Sequence, residues 1–235
     1  MAFPTYVDSG AKTEGTVAAS VALPTTKSTN DILLLCVEEG NTVTGSITNA
    51  GGGTWTEVTN SPQSVGATTT FAGVRVFWSR YDGAQTAPTW TPPANHFEAV
   101  ISGFAGCPTS GDPWDVTAGS TDSSGDTAFV ASGPTTTVVD CLVVIVAVLA
   151  DDSPTFGATW TNANLASITN RVTFITAQGN DGSLSVVTGT KATTGAVGNS
   201  TNTLTGAVNG AAVVIALKPS VATTKVYIVN TPMAA

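Results

Sequence analysis

The chain is poor in charge. Asp, Glu, Lys and Arg make up 10% of its 235 residues, against roughly 25% in an ordinary soluble domain. The basic sign is the scarcer. Lys12, Lys27, Arg75, Arg80, Arg171, Lys191, Lys218 and Lys225 stand against 16 acidic residues, for a net charge of −8. They are scattered, whereas a phosphate backbone requires clustered Lys and Arg, so no nucleic-acid partner is expected. Histidine is rarer still: with His96 alone, a multi-histidine metal centre cannot be built within one chain, and no serine-type triad is expected around it.

Cysteine is also sparse. Cys36, Cys107 and Cys141 have neither metal-ligand spacing nor an even count. Cys36 and Cys141 lie within apolar stretches, where a free Cys serves as a small core residue; a disulfide is the lesser alternative. Long hydrophobic runs are missing too. Residues 138–149 (VVDCLVVIVAVL) are apolar except for Asp140, but a membrane-spanning helix needs about 20 residues, so no membrane partner is expected. The N-terminal residues show no basic segment followed by an apolar run, so the chain is expected to be made and folded in a cytoplasm, or to leave it by a route other than a signal peptide.

What the chain has instead is strand and turn chemistry. Thr contributes 41 residues, with 24 Gly and 12 Pro, and Thr and Val favour strands while Gly and Pro supply turns, so the class is all-β. Residues 138–149 read as a fully buried central strand between turn-forming flanks, and residues 31–37 (DILLLCV) as its sister. Residues 71–81 (FAGVRVFWSRY) alternate Val74, Val76 and Trp78 with Arg75, Phe77 and Ser79, a strand with one apolar and one mixed face. The dipeptide Asp82-Gly83 signals the turn that follows.

The order of elements recurs. Residues 16–23, 31–37, 51–56 and 72–81 correspond to 127–132, 140–146, 156–161 and 182–191, with Trp55 matched to Trp160, and residues 200–205 and 210–217 match the end of the first half. The expected organisation is an N-terminal arm (1–15), a sandwich domain (16–219) and a C-terminal tail (220–235). Within the domain, halves 16–106 and 126–219 are joined by a linker, 107–125. Two tandem small sandwiches are one solution. A single jelly-roll-like β-sandwich built from two related halves is favoured, because the most apolar strand of each half needs cover on both faces. The tail residues Lys225, Val226, Tyr227, Ile228 and Val229 have no counterpart in the first half. They are candidates for an assembly strand added to a sheet edge of the same or a neighbouring subunit, or for an ordinary last strand.

Candidate sites are few. His96 and Glu98 are expected to form a surface pair. The acid pairs Glu38-Glu39, Asp112/Asp115 and Asp151-Asp152 read as solvated turn residues, with a calcium loop at Asp151-Asp152 or Asp112/Asp115 as the sharper alternative, although neither has EF-hand spacing. Trp114, in the loop GDPWD, is the ring expected to be exposed to a ligand such as a sugar; Trp55 and Trp160 are expected as equivalent core plugs. No catalytic residue, cofactor site or metal site is assigned.

Residues 31–37, the G-T-W-T of 53–56, Thr159-Trp160 and the closing AAVVIALKP of 211–219 resemble β-sandwich proteins encoded in tailed-phage structural gene clusters and prophages. That resemblance implies a non-enzymatic virion component, a capsid decoration (cement) or tail-associated protein. Its partners would be other virion proteins, with a homo-oligomer expected. The alternative is a carbohydrate-binding module of a tail fibre or surface adhesin.

Overall fold

The structure, a computed structural model, describes residues 2–93, 95–153 and 155–220. The first half contains β1 (Thr5–Ser9), β2 (Thr13–Gly15), β3 (Ala19–Ser20), β4 (Ile32–Glu39) and β5 (Ser46–Asn49). It continues with β6 (Thr56–Glu57), β7 (Gln63–Val65), β8 (Ala72–Arg80), β9 (Thr89–Thr91) and β10 (Phe97–Ala105). The second half contains β11 (Trp114–Asp122), β12 (Ala128–Ser132), β13 (Thr135–Thr136), β14 (Cys141–Leu149) and β15 (Phe156–Thr161). After these come β16 (Ala166–Thr176), β17 (Gly182–Lys191), β18 (Gly195–Ala196), β19 (Asn199–Leu204) and β20 (Gly210–Leu217). Among the described residues, no helix is long and apolar enough to cross a membrane.

Each half builds a large and a small antiparallel sheet. In the first half the large sheet runs β1-β10-β4-β8-β6, with β2 also on β10 and β7 on β8, and the small sheet runs β3-β9-β5. In the second half the orders are β11-β20-β14-β17-β16 and β12-β19-β15. Counting eight principal strands per half, both large sheets read first-eighth-third-sixth-fifth and both small sheets second-seventh-fourth. The chain crosses between sheets at nearly every connection, as in a jelly roll, with the fifth strand carried at the edge of the large sheet.

The two large sheets pack face to face, β8 over β14 and β20, and β4 over β17. Four layers and three cores result. Strand periodicity explains why β4 and β14 must be apolar throughout. In β4, Ile32, Leu34 and Cys36 face the central core while Leu33, Leu35 and Val37 face the small sheet of their own half. In β14, Leu142, Val144, Val146 and Val148 enter the central core, and Cys141, Val143, Ile145, Ala147 and Leu149 enter the outer core of the second half. The all-β sandwich expectation holds, with the jelly-roll-like order found within each half and the halves joined by a shared core.

Several local expectations change. Residues 1–15 are not a free arm: β1 and β2 pair with β10, and Tyr6 packs edge-on to Phe104 at 5.9 Å. Nor is 107–125 only a linker, since β11 pairs along the whole of β20. Its sequence, WDVTAGSTD, lacks apolar alternation because it is an edge strand whose pairing partner lies about 95 residues further along the chain. The strand expected from residue 138 begins at Cys141, because Asp140 turns the chain with a left-handed φ of 59°. The tail strand at 225–229 lies outside the described residues.

Candidate functional site

The apolar run of β4 ends in Glu38 and Glu39, which the sequence presents as turn residues. They are still in the strand, and both are fully buried. Continuing the period-two pattern puts Glu38 on the face of Leu34 and Cys36, toward the central core, and Glu39 on the face of Leu35 and Val37. Register then places Glu38 opposite Glu98 of β10, and Glu98 opposite Glu14 of β2. Three carboxyl groups stand in a row across three neighbouring strands at one end of the central core.

Like charges placed directly across a ladder repel, and burial penalises each charge further. Burial pushes the Glu38 carboxyl up to about 7, with His96 pulling the other way. Burial, and next the Glu38 charge, push Glu98 up to about 9 against the pull of Lys12. Glu14 is one third exposed. Burial acts to raise its value, but the Thr176 hydroxyl and Lys12 hold it below the usual range. Among the described residues neither oxygen of Glu38 or of Glu98 has a hydrogen-bond partner, and burial favours the neutral form of both acids.

His96 is wholly buried rather than part of a surface pair. The chain folds its ring over Gly40, where any β-carbon would collide with the imidazole. Asn95 Oδ1 accepts the Asn180 N–H at 2.8 Å, so at 2.9 Å from the same oxygen His96 Nδ1 must be the donor. That leaves Nε2 facing Glu38 Oε2 at 3.0 Å, close enough for an ion pair but outside the angle of a hydrogen bond. Lys12 completes the group. Its Nζ lies 3.1 Å from Glu14 and 3.9 Å from Glu98, and donates to Ile175 O of β16 at 2.7 Å. The cluster therefore joins the first half to the β16–β17 turn of the second.

On the opposite face, Glu39 Oε1 accepts the Gly45 N–H at 3.0 Å. Burial pushes Glu39 up to about 8, opposed by Arg75. Arg75 is already engaged: its guanidinium binds both oxygens of Glu57, at 2.9 and 2.7 Å, donates to Gly45 O, and lies over the rings of Phe77 and Trp90.

Chemically this arrangement stores protons. It does not form a metal centre: among the described residues the one set of three metal-capable side chains within 4.8 Å of one another is Asp151, Asp152 and Asp181. That set brings the sequence pair Asp151-Asp152 together with a third acid that spacing did not suggest, because β17 begins beside the end of β14. It supplies three oxygens where calcium takes six to eight ligands. Burial, and next the charges of Asp181 and Asp151, raise the Asp152 carboxyl. The Asp112/Asp115 alternative does not assemble, since the Asp115 carboxylate accepts the Thr137 N–H and hydroxyl and the Val138 N–H.

Trp114 is not the exposed ring expected. It is 9% exposed and packs edge-on against Trp78 at 5.4 Å in the central core. Trp160 is a core residue of the second half, edge-on to Phe129 and tilted against Phe156. Trp55 is half-buried beside the outer core of the first half, its indole donating to Ala50 O. It precedes a strand of the large sheet, whereas Trp160 sits in a strand of the small one, so the two rings occupy unlike positions. All three cysteines are free and buried, and burial raises their thiols, Cys107 to about 12 and Cys141 to about 11. Compared with known proteins, the chain matches no protein family, no curated protein and no solved structure.

Proposed function

We propose that the protein is a non-enzymatic virion component that decorates or stabilises a phage capsid through subunit contacts, assembled as a homo-oligomer against other virion proteins. The observation that carries this reading is the edge of the second large sheet. β16 is eleven residues long and lies last in its strand order, with one side unpaired among the described residues. Nine of its eleven side chains are exposed or half-buried, among them Ser167, Thr169, Asn170 and Thr173, and Ile175 is 46% exposed. A long open edge is a ready template for strand addition, and a natural protein that keeps one uncovered uses it or blocks it. Glu38, Glu98 and His96 are sealed in the seam instead of lining an open cleft, which favours a structural over an enzymatic role. The shared strand order of the halves favours their origin as copies of one unit.

The carbohydrate-binding alternative draws on an exposed Trp or a calcium loop, and of these Trp114 is buried and offers no platform to a sugar. Addition of purified protein to particles assembled without it tests the decoration reading. Stoichiometric binding in many copies, seen by low-resolution imaging, is the expected result, and a chain lacking residues 220–235 is expected to bind less. Absence of any association with shells or tails would overturn it.

A further inference from the structure

We infer that the seam where Glu38, Glu98 and His96 meet the β16–β17 turn is a proton-gated joint: protonated carboxyls let the turn, residues 177–181, sit closed, and their ionisation lifts it from β4 and β10. This concerns the mechanics of the fold and stands apart from the virion reading.

The geometry is specific to this end of the central core. From the first half, β4 presents Glu38, β10 presents Glu98, β2 presents Glu14, the segment before β2 presents Lys12, and the segment before β10 presents His96. From the second half, residues 175–180 (ITAQGN) bring no ionisable side chain, and the carboxylate of the next residue, Asp181, groups with Asp151 and Asp152. Glu39, Arg75 and Glu57 lie on the other face of the sheet. Among the described residues, ionised Glu38 and Glu98 would therefore sit side by side, fully buried and without hydrogen-bond donors, with cationic relief from Lys12 and from His96.

Water is the remaining source of donors, and the turn covers the group together with the first residue of β17: Gly179 closes on Asn95 and His96, and Gly182 on Glu38. A β-carbon at Gly182 would come within 2.8 Å of the Glu38 carboxyl carbon, which shows how closely the β17 backbone covers that group. The turn is held by the Asn180 N–H to Asn95 Oδ1, and its β16 side by Lys12 to Ile175 O. These are few and polar, whereas β14 is paired along its length on both sides by β17 and β20. Opening the turn hydrates the carboxyls while the sheets stay paired, and such local openings draw on the least stable part of a fold.

Hydrogen exchange read by mass spectrometry on the full chain at pH 6 and pH 9.5, corrected for intrinsic exchange rates, tests the joint. Peptides covering 94–99 and 175–184 are expected to lose at least tenfold protection at pH 9.5 while 141–149 keeps theirs. Glu38→Gln with Glu98→Gln should abolish the pH dependence. Should that double variant fail to fold, Glu14→Gln decides the matter. Its side chain is one third exposed, and removing its charge eases ionisation of Glu98, so loss of protection should begin at lower pH. Equal protection at both pH values in the wild type, an onset unmoved in Glu14→Gln, or loss in 141–149 in step with the turn would each overturn the inference.

Discussion

Glu39→Gln is expected to stabilise the protein, by an amount that grows with pH. The substitution keeps an oxygen to accept the Gly45 N–H and removes the ability to ionise. Glu39 is fully buried, and two effects compete for its proton: desolvation favours the neutral acid, and the Arg75 guanidinium favours the carboxylate. Desolvation wins because the Arg75 charge is largely cancelled by the two hydrogen bonds it gives Glu57. A rise from 4.5 to about 8 corresponds to about 5 kcal/mol, at ~1.4 kcal/mol for each tenfold change in proton affinity. Below pH 4.5 both folded and unfolded chains hold this proton and nothing is lost. Between pH 4.5 and about 8 the unfolded chain releases it and the folded chain does not, so the folded state binds more protons and wild-type stability falls as pH rises. Above about 8 the full penalty is present. Calorimetric melts at pH 4, 6.5 and 9 should thus show coincident midpoints at pH 4. At pH 9, Glu39→Gln should melt higher by about 10 °C or more, using ~2–4 °C per kcal/mol for a chain of this size. In a Glu57→Gln background, where Arg75 is released toward Glu39, the gap at pH 9 should shrink by about 1 kcal/mol or more. A wild type more stable than Glu39→Gln at pH 6.5 would refute the reasoning, because it would mean that Arg75 outweighs desolvation.

Two further outcomes follow from the packing. Trp90 is wholly buried, tilted against Phe77 at 5.6 Å, and among the described residues its indole N–H has no hydrogen-bond partner. Urea titration should accordingly find Trp90→Ala destabilised by about 4 kcal/mol and Trp90→Phe by about 1–2 kcal/mol, since Phe gives up volume but no bond. Asp115→Ala removes the acceptor for three hydrogen bonds from Thr137 and Val138 and should cost about 2 kcal/mol. Burial acts to raise the Asp115 carboxyl, yet those bonds hold it below its ordinary value. Its stabilisation is therefore present above the ordinary Asp range and disappears as pH falls through the folded-state value, so the variant and the wild type should converge in acid.

Much of the fold was legible because burial on both faces leaves an unmistakable record. β15, β17 and β20 fall on the expected residues, 156–161, 182–191 and 210–217, and β4, β8 and β14 differ only at their ends. The strands that went unread are those whose sequence carries no such record. β16 (ASITNRVTFIT) and β11 (WDVTAGSTD) are edge strands, selected by partners far along the chain more than by their own alternation. The acid row had one readable clue, the continuation of the β4 alternation through Glu38 and Glu39, and their turn-like chemistry hid it.

Composition and periodicity alone determined that this is an all-β protein, that residues 31–37 and 138–149 supply its central strands, and that Cys36 and Cys141 are core residues, because these follow from side-chain chemistry and a period of two. Register, face and layer decided the rest. Only tertiary structure sets Glu14, Glu98 and Glu38 side by side under a turn from the other half, buries His96 and Trp114, and gathers Asp181 with Asp151 and Asp152, because proximity between residues about 30 to 145 positions apart is a property of how sheets pair and stack.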